Sequence, residues 1–170
     1  IYFFFCKKYN LNKKKYNLKT QLIGKIQIKN LLMSILAAHK SNIKLDNILK
    51  SVENIKAVPG RFEEIGNFKN NSIAILDYAH TPDALETCIL NIKEHFKHRK
   101  INLVFGCGGD RDKSKRSIMW RIANNLCDKI YLTDDNPRTE SPKKIRNNIK
   151  AKISKSKLVE IPSRKKAIEK

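Results

Sequence analysis

Three polar stretches in this 170-residue chain carry residue types that can do chemistry. The first, DYAHTPDALE (77–86), sets a carboxylate, Asp77, three residues ahead of an imidazole, His80. Asp77 can accept from ribose hydroxyls. His80 can meet a phosphate, and it reads equally as a surface imidazole. Thr81-Pro82-Asp83 has the form of a helix start, with Thr81 as N-cap, Pro82 at the first helical position and Asp83 favouring the helix dipole. The second stretch, GCGGDRDKSKR (106–116), has three glycines that let backbone approach a ligand or turn sharply. Arg111, Lys113, Lys115 and Arg116 add anion-binding charge near a helix start. The stretch has neither the G-x-x-x-x-G-K-[ST] spacing nor the last glycine of G-x-G-x-x-G, so by itself it specifies no nucleotide. The third stretch, LTDDNPRTE (132–140), offers Asp134, Asp135, Asn136 and Arg138 around Pro137, which fixes a turn. A guanidinium at Arg138 can hold a carboxylate through two hydrogen bonds, and Asp135 or Asn136 can take an ammonium group. Both signs in one loop suit a zwitterion such as an amino acid better than a nucleotide. The same residues also suit an Asx-type turn before a helix starting at Thr139 or Ser141-Pro142.

The elements that must position these loops follow from hydrophobic pattern. SIAILDYAHTPDALETCILNIKEHF, INLVFGCGGDRDKSKRSIMWRIANNL and DKIYLTDDNPRTESPKKIRNNIKAKI each run from apolar strand through polar loop to helix. KLVEIPSRKKAIEK begins the same way and stops in its first helical turn. Continuous apolar strands alternating with helices predict parallel β-α-β units with right-handed crossovers. Ligands in such sheets sit beyond the carboxyl ends of the strands, where all three loops are expected to face one crevice. Upstream, residues 21–41 begin strand-like. Asn30 then precedes an apolar helical run, Leu31 to Ala38, as a plain N-cap. Leu45, Ile48, Leu49, Val52 and Ile55 repeat at helical spacing. Pro59-Gly60 breaks that pattern and marks a domain boundary. Residues 1–20 are rich in lysine and asparagine and suggest no element.

The bulk composition narrows the function classes. A hydrophobic content of 41% suffices for a packed core. No apolar run approaches the roughly 20 residues of a membrane span, so no span is expected. Cysteines at 6, 88, 107 and 127 are not at metal-ligand spacing and read as reduced cytoplasmic thiols, with no metal site. The net charge of +20 raises nucleic acid as a partner. However, 28 Lys, 22 Ile and 17 Asn are the residues of AT-rich codons, and they are spread along the chain, not gathered in a stripe. Asp77, Asp83, Asp110, Asp134 and Asp135 stand in the loops where a phosphate-binding face would want no acids. No specific nucleic acid is therefore expected.

Taken in order, the Ile23-Gly24 region with Asn30, PGRFE (59–63), DYAHTPDALE, VFGCGGDRDKSKR and TDDNPRTESP resemble the Mur ligases over roughly residues 20–170. The likeness is greatest to the branch that adds meso-2,6-diaminopimelate to UDP-N-acetylmuramoyl-L-alanyl-D-glutamate. The resemblance implies a Rossmann-like α/β domain, a mainly parallel sheet with flanking helices, over 58–170. Residues 1–57 would be the tail of the central ATP-binding domain. It implies ATP-dependent amide bond formation in peptidoglycan synthesis through an acyl phosphate, with Mg²⁺, in a cytoplasmic monomer. Carried over by position, Arg111, Asp135, Asn136, Pro137 and Arg138 would bind diaminopimelate. Asn30, Arg61 and Asp77 would bind ATP, and His80 and Lys113 would be catalytic groups near the phosphates. In lysine-adding relatives the arginine at the position of Arg138 is typically replaced. Folylpolyglutamate synthetases share the architecture, but their motifs are not recognised here. The P-loop, the uridine-binding domain and the carboxylated lysine of the family would lie upstream, and a GKGHE-type segment downstream. The chain is therefore expected to be a fragment that is inactive alone.

Overall fold

A computed structural model describes residues 5–11, 14–68, 71–150 and 154–170. Packing divides the chain into two compact units, Ile1–Tyr78 and Ala79–Lys170.

The first unit opens with an antiparallel hairpin, β1 (Phe5–Leu11) and β2 (Lys14–Thr20), where no element was expected. Along β2 the inward positions Leu18 and Thr20 are buried while Asn17 and Lys19 face outward, the alternation of a strand with one covered face. Helix α1 spans Lys25–Lys40 and α2 spans Leu45–Val52. Leu18, Leu22, Ile28, Leu31, Ile35 and Val52 form their common core. Two expectations fail here. The segment from Ile26 is helical, because Ile28, Leu31 and Ile35 fall on one helix face and bury together. Asn30 therefore lies in the second turn of α1 and is no N-cap. The chain enters the helix at Gly24, whose φ of 83° few other residues adopt. A Cβ there would also lie 3.0 Å from the Phe62 ring.

Beyond the turn at Pro59-Gly60, β3 (Glu63–Phe68) pairs antiparallel with β4 (Ser72–Leu76), with a bulge between Glu64 and Gly66. The strand of the first expected β-α unit is thus half of a hairpin, and its described ladder is not parallel. Its continuous apolar run fits either pairing, so the pattern does not carry direction.

In the second unit, β5 (Asn102–Phe105), β6 (Lys129–Leu132) and β7 (Leu158–Glu160) form a parallel sheet in that order. The helices α3 (Pro82–His95), α4 (Ser114–Leu126), α5 (Pro142–Lys150) and α6 (Arg164–Ile168) alternate with them. Thr81 caps α3 by accepting from the Ala84 amide at 3.3 Å, with Pro82 at the first position and Asp83 in the first turn. Ser163 caps α6 by accepting from the Lys166 amide. Leu85, Ile89, Phe105, Met119, Ala123, Ile130, Leu132, Ile145 and Ile149 bury between sheet and helices. This is the α/β sheet with flanking helices expected from the repeated pattern.

Candidate functional site

Three loops leave the carboxyl ends of β5, β6 and β7, and backbone bonds lace them together. The Thr133 amide donates to Phe105 O at 2.9 Å, Ile161 to Leu132 O at 3.0 Å, and Asp134 to Pro162 O at 2.9 Å. The glycine-rich loop and the Asp134–Glu140 loop therefore lie against each other, as their place on the sheet requires. The glycines serve that contact. A Cβ on Gly106 would lie 2.4 Å from Thr133 O, and one on Gly109 only 1.8 Å from Pro137 O. Their space is taken up by the neighbouring loop's backbone.

The Asp134–Glu140 loop has its own internal order. The Asn136 amide donates to Asp135 Oδ1 at 2.8 Å, and the Arg138 amide to Asn136 Oδ1 at 3.2 Å, the Asx geometry that the sequence allowed. Across the loops, the Gly109 amide donates to Asn136 O at 2.9 Å. Arg138 Nη1 donates to Gly109 O at 2.6 Å. The remaining guanidinium donors of Arg138 make no hydrogen bond among the described residues, so an exposed fork is half open beside Asp135 and Asn136. Arg138 holds this position with φ at 50°, in the left-handed region that a non-glycine residue adopts only when its surroundings dictate it. Arg111 is exposed two residues past Gly109 and makes no ion pair among the described residues.

Several charged groups here escaped notice in the sequence or were read differently. Arg116, read as anion-binding charge, is 2% exposed and forms a two-pronged pair with Glu140, Nη2 to Oε1 at 2.7 Å and Nη1 to Oε2 at 3.0 Å. Its guanidinium is already committed inside the protein. Arg116, followed by the Asp110 amide, holds the Glu140 carboxyl down at about 2. Lys113 is exposed at the start of α4, with Nζ 3.9 Å from Glu140 Oε2. Asp134 pairs with Arg146, which also donates to Glu160 at 2.8 Å, and Asp135 stands 3.9 Å from Arg164. Arg146, Glu160 and Arg164 had no signal in the sequence, since each partner lies at least 10 residues away. Cys107, between the glycines, has its thiol pushed up to about 11 by burial, against the lowering pull of Arg116. It is therefore no ready nucleophile.

Asn30, Arg61 and Asp77, which the resemblance assigns to ATP, all belong to the first unit, and His80, assigned to catalysis, is exposed in the second. The Phe62 amide donates to Asp77 Oδ2 at 2.8 Å, fastening the end of β4 to the Pro59-Gly60 turn. Arg61 lies over the Tyr78 ring at 5.0 Å, and Gln27 of α1 donates to Arg61 O at 2.6 Å. Asp77 and Arg61 are thereby brought together. Asn30 follows Gln27 by three residues on the same exposed helix face. Among the described residues, no three His, Cys, Asp or Glu side chains cluster to hold a metal ion, and no helix is long and apolar enough to cross a membrane.

The UDP-N-acetylmuramoyl-L-alanyl-D-glutamate–2,6-diaminopimelate ligase of Rickettsia montanensis is 43% identical over 162 residues, which are 95% of this chain and 33% of that protein. A solved structure of a ligase with the same name superposes with a TM-score of 0.66 at 33% identity, covering 95% of this chain and 33% of its own. Folylpolyglutamate synthase from Thermotoga maritima reaches a TM-score of 0.74 at 23% identity, over 94% of this chain and 37% of its own, a likeness of fold alone. The chain spans about a third of the length of the curated relatives it matches. The family model for the Mur ligase glutamate ligase domain matches residues 60–170, from the turn that holds Arg61 through both laced loops, and the chain belongs to the Mur ligase family.

Proposed function

We propose that this chain is part of a ligase that adds meso-2,6-diaminopimelate to UDP-N-acetylmuramoyl-L-alanyl-D-glutamate in peptidoglycan synthesis, as a monomer in the cytoplasm. Residues 1–57 are read as the tail of its central ATP-binding domain and 58–170 as its carboxy-terminal domain. The observation that carries the reading is Arg138, a guanidinium fork held half open beside Asp135 and Asn136. Diaminopimelate has an amine and carboxylate at each end. Arg138 and Arg111 supply donors for the distal carboxylate, and Asp135 and Asn136 acceptors for the ammonium beside it. With that end anchored, the other amine is free to act as nucleophile.

A carboxylate is a poor electrophile, so ATP supplies the phosphoryl group that turns the glutamate γ-carboxyl into an acyl phosphate with a good leaving group. The chain's own residues suit a supporting part. Asp77 keeps Oδ1 for ribose hydroxyls while Oδ2 holds the Phe62 amide, and Arg61 adds positive charge on the same turn. His80 and Lys113 stand as exposed partners for phosphate charge. The Mg²⁺ that the family implies finds no ligand cluster among the described residues, and no step is assigned through it.

The test compares diaminopimelate with lysine as substrates for the protein that carries this segment at its natural length. Lysine has no distal carboxylate, so it would leave Arg138 desolvated and unpaired at a cost of roughly 1–3 kcal/mol, or about 5- to 150-fold in kcat/KM. Arg138→Ala should erase most of that preference. A preference unchanged in Arg138→Ala would remove Arg138 from this role.

A further inference from the structure

Arg138 is pinned from both sides. On one side, the Gly109 amide bonds to Asn136 O at 2.9 Å. On the other, the Thr139 amide donates to Asp110 Oδ2 at 3.0 Å, and the Thr139 hydroxyl donates to the Asp110 carboxylate at 2.8 and 2.9 Å. From Asp110 itself a bond runs the other way, its amide donating to Glu140 Oε1, one residue past Thr139, at 2.8 Å. Glu140 is gripped by buried Arg116, which also reaches Gly108 O at 3.3 Å. Asp110 and Arg138 face each other across this ladder, both with φ at 50°. Two left-handed non-glycine residues on adjoining loops persist only where surrounding bonds over-determine them.

We propose that Arg116 and Glu140, acting through Asp110 and Thr139, form a positioning clasp that sets the Arg138 fork and thereby the amino-acid selectivity of the site. None of the four touches the substrate in this scheme. The buried two-pronged pair locks the spacing of the two loops, and the outer rungs transmit that spacing to the Arg138 backbone. A planar fork against a carboxylate fixes orientation as well as distance, which a lysine ammonium cannot do. The inference rests on the diaminopimelate reading of Arg138.

Glu140→Gln, Arg116→Lys and Thr139→Val, made in the protein at its natural length, test the clasp. Glu140→Gln should raise KM for diaminopimelate about tenfold and lower the preference over lysine by a similar factor, with KM for ATP changed less than about twofold. Arg116→Lys should resemble Glu140→Gln and not the parent, because it keeps the charge and loses the fork. Thr139→Val should move the same quantities about threefold. If Glu140→Gln or Arg116→Lys fails to fold, Thr139→Val decides. The clasp is overturned if the folded variants keep the parent's selectivity, or if KM for ATP and for diaminopimelate worsen equally. Arg138→Ala, run alongside, separates the two ideas. Preference lost there but kept in the clasp variants sinks the clasp alone, and preference kept in Arg138→Ala sinks the underlying reading with it.

Discussion

Glu140 shows how a single carboxylate couples the site to stability. Its carboxyl is held at about 2 against an ordinary 4.5, first by Arg116 and then by the Asp110 amide. A carboxyl depressed by folding adds stability that is full above its unfolded value and fades as pH falls through its folded one. The window is therefore roughly pH 4.5 down to 2. Asp110 and Glu160 are also lowered, Asp110 by the Thr139 amide and Glu160 by Lys150 and then Arg146, so they act with the same sign. The groups facing Glu140 are Arg116, Lys113 and Asp110. Urea unfolding at steps between pH 5 and 2 should show stability dropping with acid in the parent and a shallower slope in Glu140→Gln, which has nothing to titrate. Equal slopes would mean that the pair is not formed in solution. This pair could not be read from the sequence. Arg116 and Glu140 are 24 residues apart, and Arg116 stands beside Lys113 and Lys115 in a stretch that reads as anion-binding charge.

The loops, taken as elements, depend on close backbone contact, and glycine replacements measure it. Gly109→Ala would drive a methyl into Pro137 O, at 1.8 Å, against backbone that cannot rotate away. Gly108→Ala would meet Arg138 Nη1 at 3.0 Å, the end of a flexible side chain, and Asn136 O no nearer than 3.4 Å. Chemical denaturation should show Gly109→Ala losing about 3 kcal/mol or more, and Gly108→Ala under about 1 kcal/mol. Similar losses at both positions would contradict the packed-loop geometry. The glycine loop was legible as a place of close approach, though what approaches it was not, because the partner backbone belongs to another β-α unit. The strands and helices from Asn102 onward were legible because short apolar runs and local starts such as Ser141-Pro142 specify them within a few residues. The β1–β2 and β3–β4 pairings were not, since strand direction is set by partners and not by the run itself. The start of α1 was missed because Gly24 has no side chain to act as a cap signal.

Across the whole molecule, the two units bury separate cores. Leu85, Ile89, Phe105, Met119, Ala123, Ile130, Leu132, Ile145 and Ile149 all belong to Ala79–Lys170, and Leu18, Leu22, Ile28, Leu31, Ile35 and Val52 all belong to Ile1–Tyr78. The three-stranded sheet, its four helices, both site loops and the clasp lie wholly in the second unit. Each β5–β6–β7 ladder is internal to it, and the caps at Thr81 and Ser163 are too. A domain of this size with its own core is large enough to fold by itself. Residues 79–170 expressed alone should therefore unfold in one cooperative transition, with a urea slope of about 1–2 kcal/mol/M. The measurement belongs at about 0.15 M salt, where the Debye length is near 8 Å, because 22 Lys and Arg against 11 Asp and Glu leave residues 79–170 at +11, and salt screens that self-repulsion. Far-ultraviolet and near-ultraviolet circular dichroism should change together. A gradual transition, or helix signal without fixed aromatic signal, would show that the second core needs the first unit to pack.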